Sequence, residues 1–298
     1  MTRFIEEHRG RFGVEPICRV MDFNPSTYWA ARGRPPSDRS IRDEALKPQI
    51  KRVHKENYGV YGAHKIWKQL KREGFIVARC TVARLMRELG LRGVRRGKEC
   101  RTTVPDETAA RSADLVRRIF AASRPDQLWV ADFTFVRTWS GFCYAALVID
   151  VYSRMIVGWS LSTTLRTDMP LEALEMAIWR RGRSLPDLVH HSDRGCQYTS
   201  IRYTERLAEA GIAPSVGSAG DAYDNAMAES TIGLYKTELI YRRRPWKTPE
   251  QVELATLEYI DWWNNRRLHT EIGDIPPAEK EEMYYAETEL NENARRAS

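Results

Sequence analysis

The sequence predicts an α/β protein, built as a mixed five-stranded sheet with flanking helices and preceded by an all-α, helix-turn-helix-like region. Three observations carry that prediction. The first 125 residues read as helices and turns, and strand signals begin only after Asp126. After three strand signals in a row, strands and helices alternate, which gives a sheet with both antiparallel and parallel neighbours. Charge divides at the same place: residues 1–125 hold 28 Lys+Arg against 14 Asp+Glu, and residues 126–298 hold 19 against 26.

A net +14 in the front against −7 in the back points to a polyanion partner for the front, most simply nucleic acid. At 42% hydrophobic and 29% charged residues, the 298-residue chain has the balance of a water-soluble globular protein. No apolar run is long enough to span a bilayer, so no membrane is expected as a partner. The opening MTRFIEEHRGRFG has no apolar stretch of a secretory signal, so a cytoplasmic location is expected. Five cysteines, Cys18, Cys80, Cys100, Cys143 and Cys196, are scattered without a C-x-x-C pair, which argues against a zinc site or a disulfide framework.

Two helix-turn-helix-like patterns occupy the front. In residues 14–34 an apolar helical pattern stops near Met21, DFNP turns, and Asn24 or Ser26 caps a second helix through Tyr28 and Trp29. The prolines of GRPPSDRS then read as a linker. In residues 61–93, Ile66 and Leu70 define one helix and EGF turns. Thr81, Val82, Leu85, Met86 and Leu89 then define a second helix, ended by Gly90. That second helix also carries Arg79, Arg84 and Arg87, which with Thr81 are the candidate duplex contacts. An ordinary helical hairpin with a solvated basic face has the same pattern. Its recurrence in a +14 segment favours DNA. Residues 94–125 read as a polar connector.

The back opens with a strand over QLWVADFTFVRTW, residues 127–139. Two more follow in residues 141–164, joined by a turn near Tyr152 to Arg154. A helix over residues 170–182, a strand over 187–193, a helix over 200–211, a strand over 212–217 and a long helix from about Ala222 to Ile240 complete the series.

Alternation puts Leu128, Val130, Asp132, Thr134 and Val136 on one face of the first strand, and Trp129, Ala131, Phe133 and Phe135 on the other. A carboxylate amid residues that expect burial needs a charge partner or a metal. Asp193 raises the same question at the mouth of the strand LVHHSD, where Asp-Arg-Gly also makes good turn chemistry around Gly195. On the long helix Asn225, Glu229 and Lys236 fall near one face, and Tyr223, Met227, Ser230 and Leu234 on another expected to pack on the sheet. Taken alone, Glu229 is an ordinary helix glutamate. His190 and His191 alternate faces, so at most one can face a metal, and they are expected to support the site rather than ligate it. Asp150 at the strand turn and Asp224 at the helix start are acidic residues with structural explanations. YRRRPW, residues 241–246, suits either a phosphate or a solvated basic run, and Trp262 and Trp263 read as core.

Thirty-five residues separate Asp193 from Glu229, and Asp132 lies on the first strand. With WVADFTFV, HSDRGCQYTS, DNAMAES and Lys236 seven residues after Glu229, the chain resembles the catalytic core shared by retroviral integrases and insertion-sequence transposases. WWNNRRLHTEIGDIPPAE, residues 262–279, is similar to the segment that ends that core in the insertion-sequence branch. The front resembles the helix-turn-helix-like part of second-reading-frame proteins of that branch.

The resemblance implies a ribonuclease-H-like sheet and a DDE transposase. Such an enzyme makes metal-dependent strand cleavage and strand transfer at the ends of an insertion sequence. It implies Asp132, Asp193 and Glu229 as catalytic residues and as ligands of two Mg²⁺ ions, with Mn²⁺ able to substitute. Asp132 would touch both ions, and Lys236 would contact DNA near the element end. Implied partners are double-stranded DNA, both element ends and target, further copies of the chain assembled on it, and the product of an upstream frame. The location is then the cytoplasm, on the nucleoid. The implied divisions are a first helix-turn-helix-like segment in 1–48, a second in 49–98, a connector in 99–125, the core in 126–280 and a tail in 281–298. A catalytically inactive, transposase-derived DNA-binding regulator would share the front, but a complete acidic triad favours the enzyme. Viral integrases begin with a zinc-binding His/Cys domain; here His8, His54 and His64 lack a C-x-x-C partner, so no zinc is carried over.

Overall fold

The computed structural model describes residues 1–94, 121–164, 168–182, 185–193, 198, 200–216 and 226–297. Gly195, Cys100, Cys196, Tyr223, Asp224, Asn225 and most of the connector lie outside the described residues. Two compact units divide between Lys51 and Arg52. Among the described residues no helix is long and apolar enough to cross a membrane.

The first unit holds α1 (Thr2–Phe12), α2 (Val14–Val20), α3 (Pro25–Gly33) and most of α4 (Asp38–Glu56). Ile5, Ile17, Cys18 and Tyr28 are buried together, and the Tyr28 hydroxyl donates to Glu6. Of the two expected caps for α3, Asn24 is the one used: its Oδ1 accepts from the Ser26 N–H at 2.9 Å. The linker is shorter than expected, because α4 begins at Asp38.

In the second unit, α5 (Ala63–Arg72) and α6 (Arg79–Glu88) form the expected hairpin. Ile66 and Leu70 of α5 and Val82, Leu85 and Met86 of α6 are buried, and the two helices pack together. Gly74 and Gly90 end the two helices at φ +87° and +68°, where a side chain would be strained. This hairpin sits in the same compact unit as the sheet. It is held there by polar contacts to the chain's closing segment. Trp262 Nε1 donates to Asn57 at 3.0 Å, the Leu268 N–H donates to the Tyr61 hydroxyl at 2.7 Å, and Lys68 pairs with Asp274 at 2.9 Å.

The sheet contains β1 (Leu128–Thr138), β2 (Gly141–Asp150), β3 (Ile156–Ser162), β4 (Val189–Ser192) and β5 (Ala213–Val216), in the order β3-β2-β1-β4-β5. β1–β2 and β2–β3 are antiparallel, and β1–β4 and β4–β5 are parallel. This is the mixed five-stranded sheet that the sequence predicts. α7 (Asp168–Arg181) and α8 (Ile201–Glu209) supply its crossovers. Trp129, Ala131, Ala146, Val148 and Val157 pack against Leu174, Ala177, Tyr203 and Leu207. α7 comes so close to β3 that a Cβ on Gly158 would lie 2.0 Å from the Ala173 carbonyl oxygen. As expected, Asp150 is structural: its carboxylate accepts from the N–H groups of Ser153 and Asp126, each at 2.8 Å.

Three features differ from the sequence reading. The long helix is described from Ala226 and is α-helical only to Tyr235 (α9); Lys236–Ile240 then form a π-helical turn. The buried side of α9 is Met227, Ala228, Thr231, Ile232 and Tyr235, and not Ser230 and Leu234. The α-helical register rotates Ser230 outward and brings the small Ala228 and Thr231 under the helix. α10 (Pro249–Asn265) closes the core with Tyr259, Ile260, Trp262 and Trp263 buried, so the two tryptophans are core as expected. Finally, the expected tail belongs to α11 (Pro277–Ala297), whose Glu281 makes a buried two-point pair with Arg181 at 2.7 and 2.8 Å.

Candidate active site

The β1–β4 ladder runs from Leu128↔Val189 to Ala131↔Ser192, so Asp132 on β1 and Asp193, just past the end of β4, are the residues that follow its last pair. In a parallel pair, residues at one level project to one face, and neighbouring strands lie roughly 4.8 Å apart. β4 ends as a strand at Ser192, which leaves Asp193 at the open end of the sheet.

Glu229 comes from the first turn of α9, on its exposed side. α9 packs on β1 and β2. Lys236 opens the π-helical turn immediately after α9, seven residues beyond Glu229. The Lys236 ammonium lies 5.1 Å from the centre of the Phe135 ring.

The Asp132 carboxyl registers all of these charges. Burial pushes it up to about 8, with the negative charges of Asp193 and Glu229 adding to the rise. The Phe133 N–H, which donates to Oδ1 at 2.8 Å, and the Lys236 ammonium act the other way. A carboxyl crowded by two others is a poor anion until a cation joins them. All three groups are hard oxygen donors, the set that Mg²⁺ takes. Among the described residues, no group of three or more His, Cys, Asp or Glu side chains is gathered closely enough to hold a metal ion by itself.

His190 and His191 are both buried on β4, and each makes a polar contact to a neighbouring element. Nε2 of His190 lies 3.1 Å from the Tyr203 hydroxyl on α8, and Nδ1 of His191 lies 2.9 Å from the Ser215 hydroxyl on β5. Burial and the neighbouring His191 push His190 down to about 4, so it is neutral in the folded protein. Tyr198 is a residue that the sequence reading missed. Its buried hydroxyl has no hydrogen-bond partner among the described residues. Burial drives it up, and so do the charges of Tyr203, Asp132 and Asp193. Only its place in QYTS, five residues after Asp193, hinted at it.

Of the candidate duplex contacts on α6, Arg79 and Arg87 are exposed and Thr81 is half-buried. Arg84 is half-buried and pairs with Glu88 at 2.7 Å, so it is engaged within its own helix. In YRRRPW, Arg243 lies 3.4 Å from Glu258 and 4.8 Å from the Tyr58 ring, while Trp246 is buried.

Comparison with known proteins gives one answer along the chain. An integrase core domain matches residues 122–222, a second integrase core domain matches 210–277, and an HTH-like domain matches 41–99. The chain is 56% identical over 271 residues to a transposase for insertion sequence element IS986/IS6110 of Mycobacterium tuberculosis, which covers 90% of this chain and 98% of that protein. It is 53% identical over 291 residues to the transposase for insertion sequence element IS629 of Shigella sonnei, covering 96% and 97%. Among solved structures, the HTLV-2 integrase catalytic core domain in complex with magnesium matches with 17% identity and a TM-score of 0.42, over 52% of this chain and 96% of that one. The two integrase core matches, the HTH-like match and the near full-length identity to transposases place this chain in the family of DDE transposases of insertion sequences.

Proposed function

We propose that this transposase cuts one DNA strand at each end of its insertion sequence and joins the freed 3′-hydroxyl to target DNA, using Asp132, Asp193 and Glu229. The observation that supports this most directly is that Asp132 and Asp193 follow the last pair of the β1–β4 ladder, with Glu229 raising the same Asp132 carboxyl.

Asp132, Asp193 and Glu229 would hold two Mg²⁺ ions, or Mn²⁺ in their place. Such ions would supply activation of the attacking oxygen and positive charge for the leaving one. The protein's own work is positional. The parallel ladder fixes two carboxylates on a rigid edge, and α9 brings the third. Lys236 meets a phosphate beside the site. Arg79, Thr81, Arg84 and Arg87 meet duplex through α6, which requires Arg84 to leave Glu88. Residues 49–98 form the main duplex-binding segment, with 1–48 as a second such segment, 99–125 as connector and 126–280 as the core. The chain works as a homo-oligomer on paired element ends, alone or with an upstream-frame product, on the nucleoid in the cytoplasm.

The test uses the full-length protein on labelled duplex carrying an element end. Mg²⁺ or Mn²⁺ should support cleavage, and excess chelator should abolish it. Robust cleavage in chelator would rule out the carboxylate-metal reading.

A further inference from the structure

The β1–β2 hairpin presents three large aromatic side chains to solvent. Phe135, Trp139 and Phe142 are 58%, 71% and 50% exposed. The rings of Phe135 and Phe142 meet edge to face at 5.8 Å between centroids. Apolar surface of this kind is normally buried unless something covers it.

The hairpin tip is held firmly. The Trp139 N–H donates to the Trp246 carbonyl at 3.0 Å, and the Ser140 N–H donates to the Lys247 carbonyl at 3.3 Å. The Ser140 hydroxyl donates to the same Lys247 oxygen at 3.2 Å, and the Thr138 hydroxyl donates to the Gly141 carbonyl at 2.8 Å. Trp246 is itself buried, with Nε1 donating to the Ile240 carbonyl at 3.0 Å. The indole of Trp139 is therefore displayed by a backbone that the core has already ordered.

The rings are interleaved with cations. Lys236 Nζ lies 5.1 Å from the Phe135 centroid, and Lys247 Nζ lies 5.8 Å from that of Trp139. Arg137 is exposed between them on β1. Phe135 lies three residues beyond Asp132 on β1, roughly 10 Å at strand rise, and alternation puts the two side chains on opposite faces of the strand. Lys236, seven residues after Glu229, lies against the Phe135 ring. The aromatic ledge is thus joined to the carboxylates through Lys236. Fixed aromatic faces with ammonium groups beside them suit a single nucleic-acid strand, whose bases stack while its phosphates pair. A protein partner covering the same rings would have to desolvate both ammonium groups as well.

We propose that Phe135, Trp139 and Phe142 form a stacking platform for unpaired bases of the DNA strand next to the cleavage site, with Lys236 and Lys247 on the flanking phosphates. The inference rests on the proposed cleavage function, and its test runs without metal, so the two fail separately.

The full-length protein is titrated in chelator against a labelled duplex with a single-stranded thymidine tail, and against the same duplex blunt. Stacking of one or two bases predicts that the wild type favours the tailed duplex by about tenfold. Trp139→Ala combined with Phe142→Ala should bring that ratio near one, and Trp139→Tyr should restore most of it. A tail of abasic residues should lose the preference although its phosphates remain. Equal binding of tailed and blunt duplex by the wild type overturns the proposal. So does a preference that persists in the double alanine variant or with the abasic tail. A change of oligomeric state in Trp139→Ala with the tail preference intact would assign the ledge to a second copy of the chain instead.

Discussion

Arg267 and Glu238 form a two-point ion pair inside the protein, with Nε to Oε2 at 2.9 Å and Nη2 to Oε1 at 2.7 Å. Both side chains are buried. The Tyr259 hydroxyl donates to Glu238 Oε2 at 2.9 Å, and the Arg267 guanidinium lies 4.5 Å from the Trp263 ring centre. Glu238 belongs to the π-helical turn that begins at Lys236. The segment after α10 therefore reaches back and fixes the turn that aims Lys236.

Removing one partner of such a pair strands the other charge in the interior, so Arg267→Ala should destabilise the fold by about 3–5 kcal/mol. Urea unfolding followed by circular dichroism reads the loss. A change under about 1 kcal/mol would mean that Glu238 finds other solvation and that the pair is not what holds the turn.

Asp193→Asn keeps nearly the same shape and removes the charge. Duplex binding should stay near wild type, while cleavage falls by more than the roughly 10–100-fold that a residue supporting a metal ligand costs. Cleavage within a few-fold of wild type would remove Asp193 from the reaction.

The contact between Tyr61 and Leu268 ties the α5–α6 hairpin to the core. Leu268 is fully buried, so Tyr61→Phe leaves its N–H without an acceptor and should cost about 1–3 kcal/mol. Because the hairpin and sheet share one compact unit, residues 52–94 should lose structure in the same transition as the sheet. Hydrogen exchange at the buried Leu70 and Leu85 amides, faster than at Val130 and Leu147 by orders of magnitude, would show instead that the hairpin opens alone.

The sheet was legible because alternation along β1 separates Asp132 and Val136 from Trp129 and Ala131. The acidic triad was legible because its spacing is a property of the chain itself. What escaped lacked such a signal. α4 carries Pro48, and its apolar stripe, Leu46, Ile50 and Val53, is confined to its second half, so the start of the helix has no mark of its own after the prolines. α11 is largely exposed and is held by Glu281 on Arg181, a hundred residues away. Glu238 and Arg267 lie 29 residues apart, and neither position alone suggests burial. KTELI reads equally well as α-helix, so the π-helical turn has no mark of its own. Tyr198 gains its environment from β1 and α8, which only the fold brings to it.

Acid should weaken the strand that carries Asp193 to its place. His190 is buried on β4, and burial together with His191 lowers it from 6.5 to about 4. The folded protein therefore binds that proton less tightly than the unfolded chain does. Its contribution to stability is complete above pH 6.5 and is lost as the pH falls towards 4, a total of about 3 kcal/mol for a shift of this size. His269 is pushed down in the same direction by burial and by Arg267, so it adds to the slope. His190→Gln keeps a polar group within reach of the Tyr203 hydroxyl and cannot titrate in this range. The measurement is unfolding free energy in urea at a series of pH values between 7 and 5, where His190 begins to titrate in the unfolded chain and most carboxylates stay ionised. The wild type should lose stability more steeply than His190→Gln across that window, even where the variant starts from a lower value. Parallel curves would show that His190 is protonated in the folded protein, and that its bond to Tyr203 survives the charge.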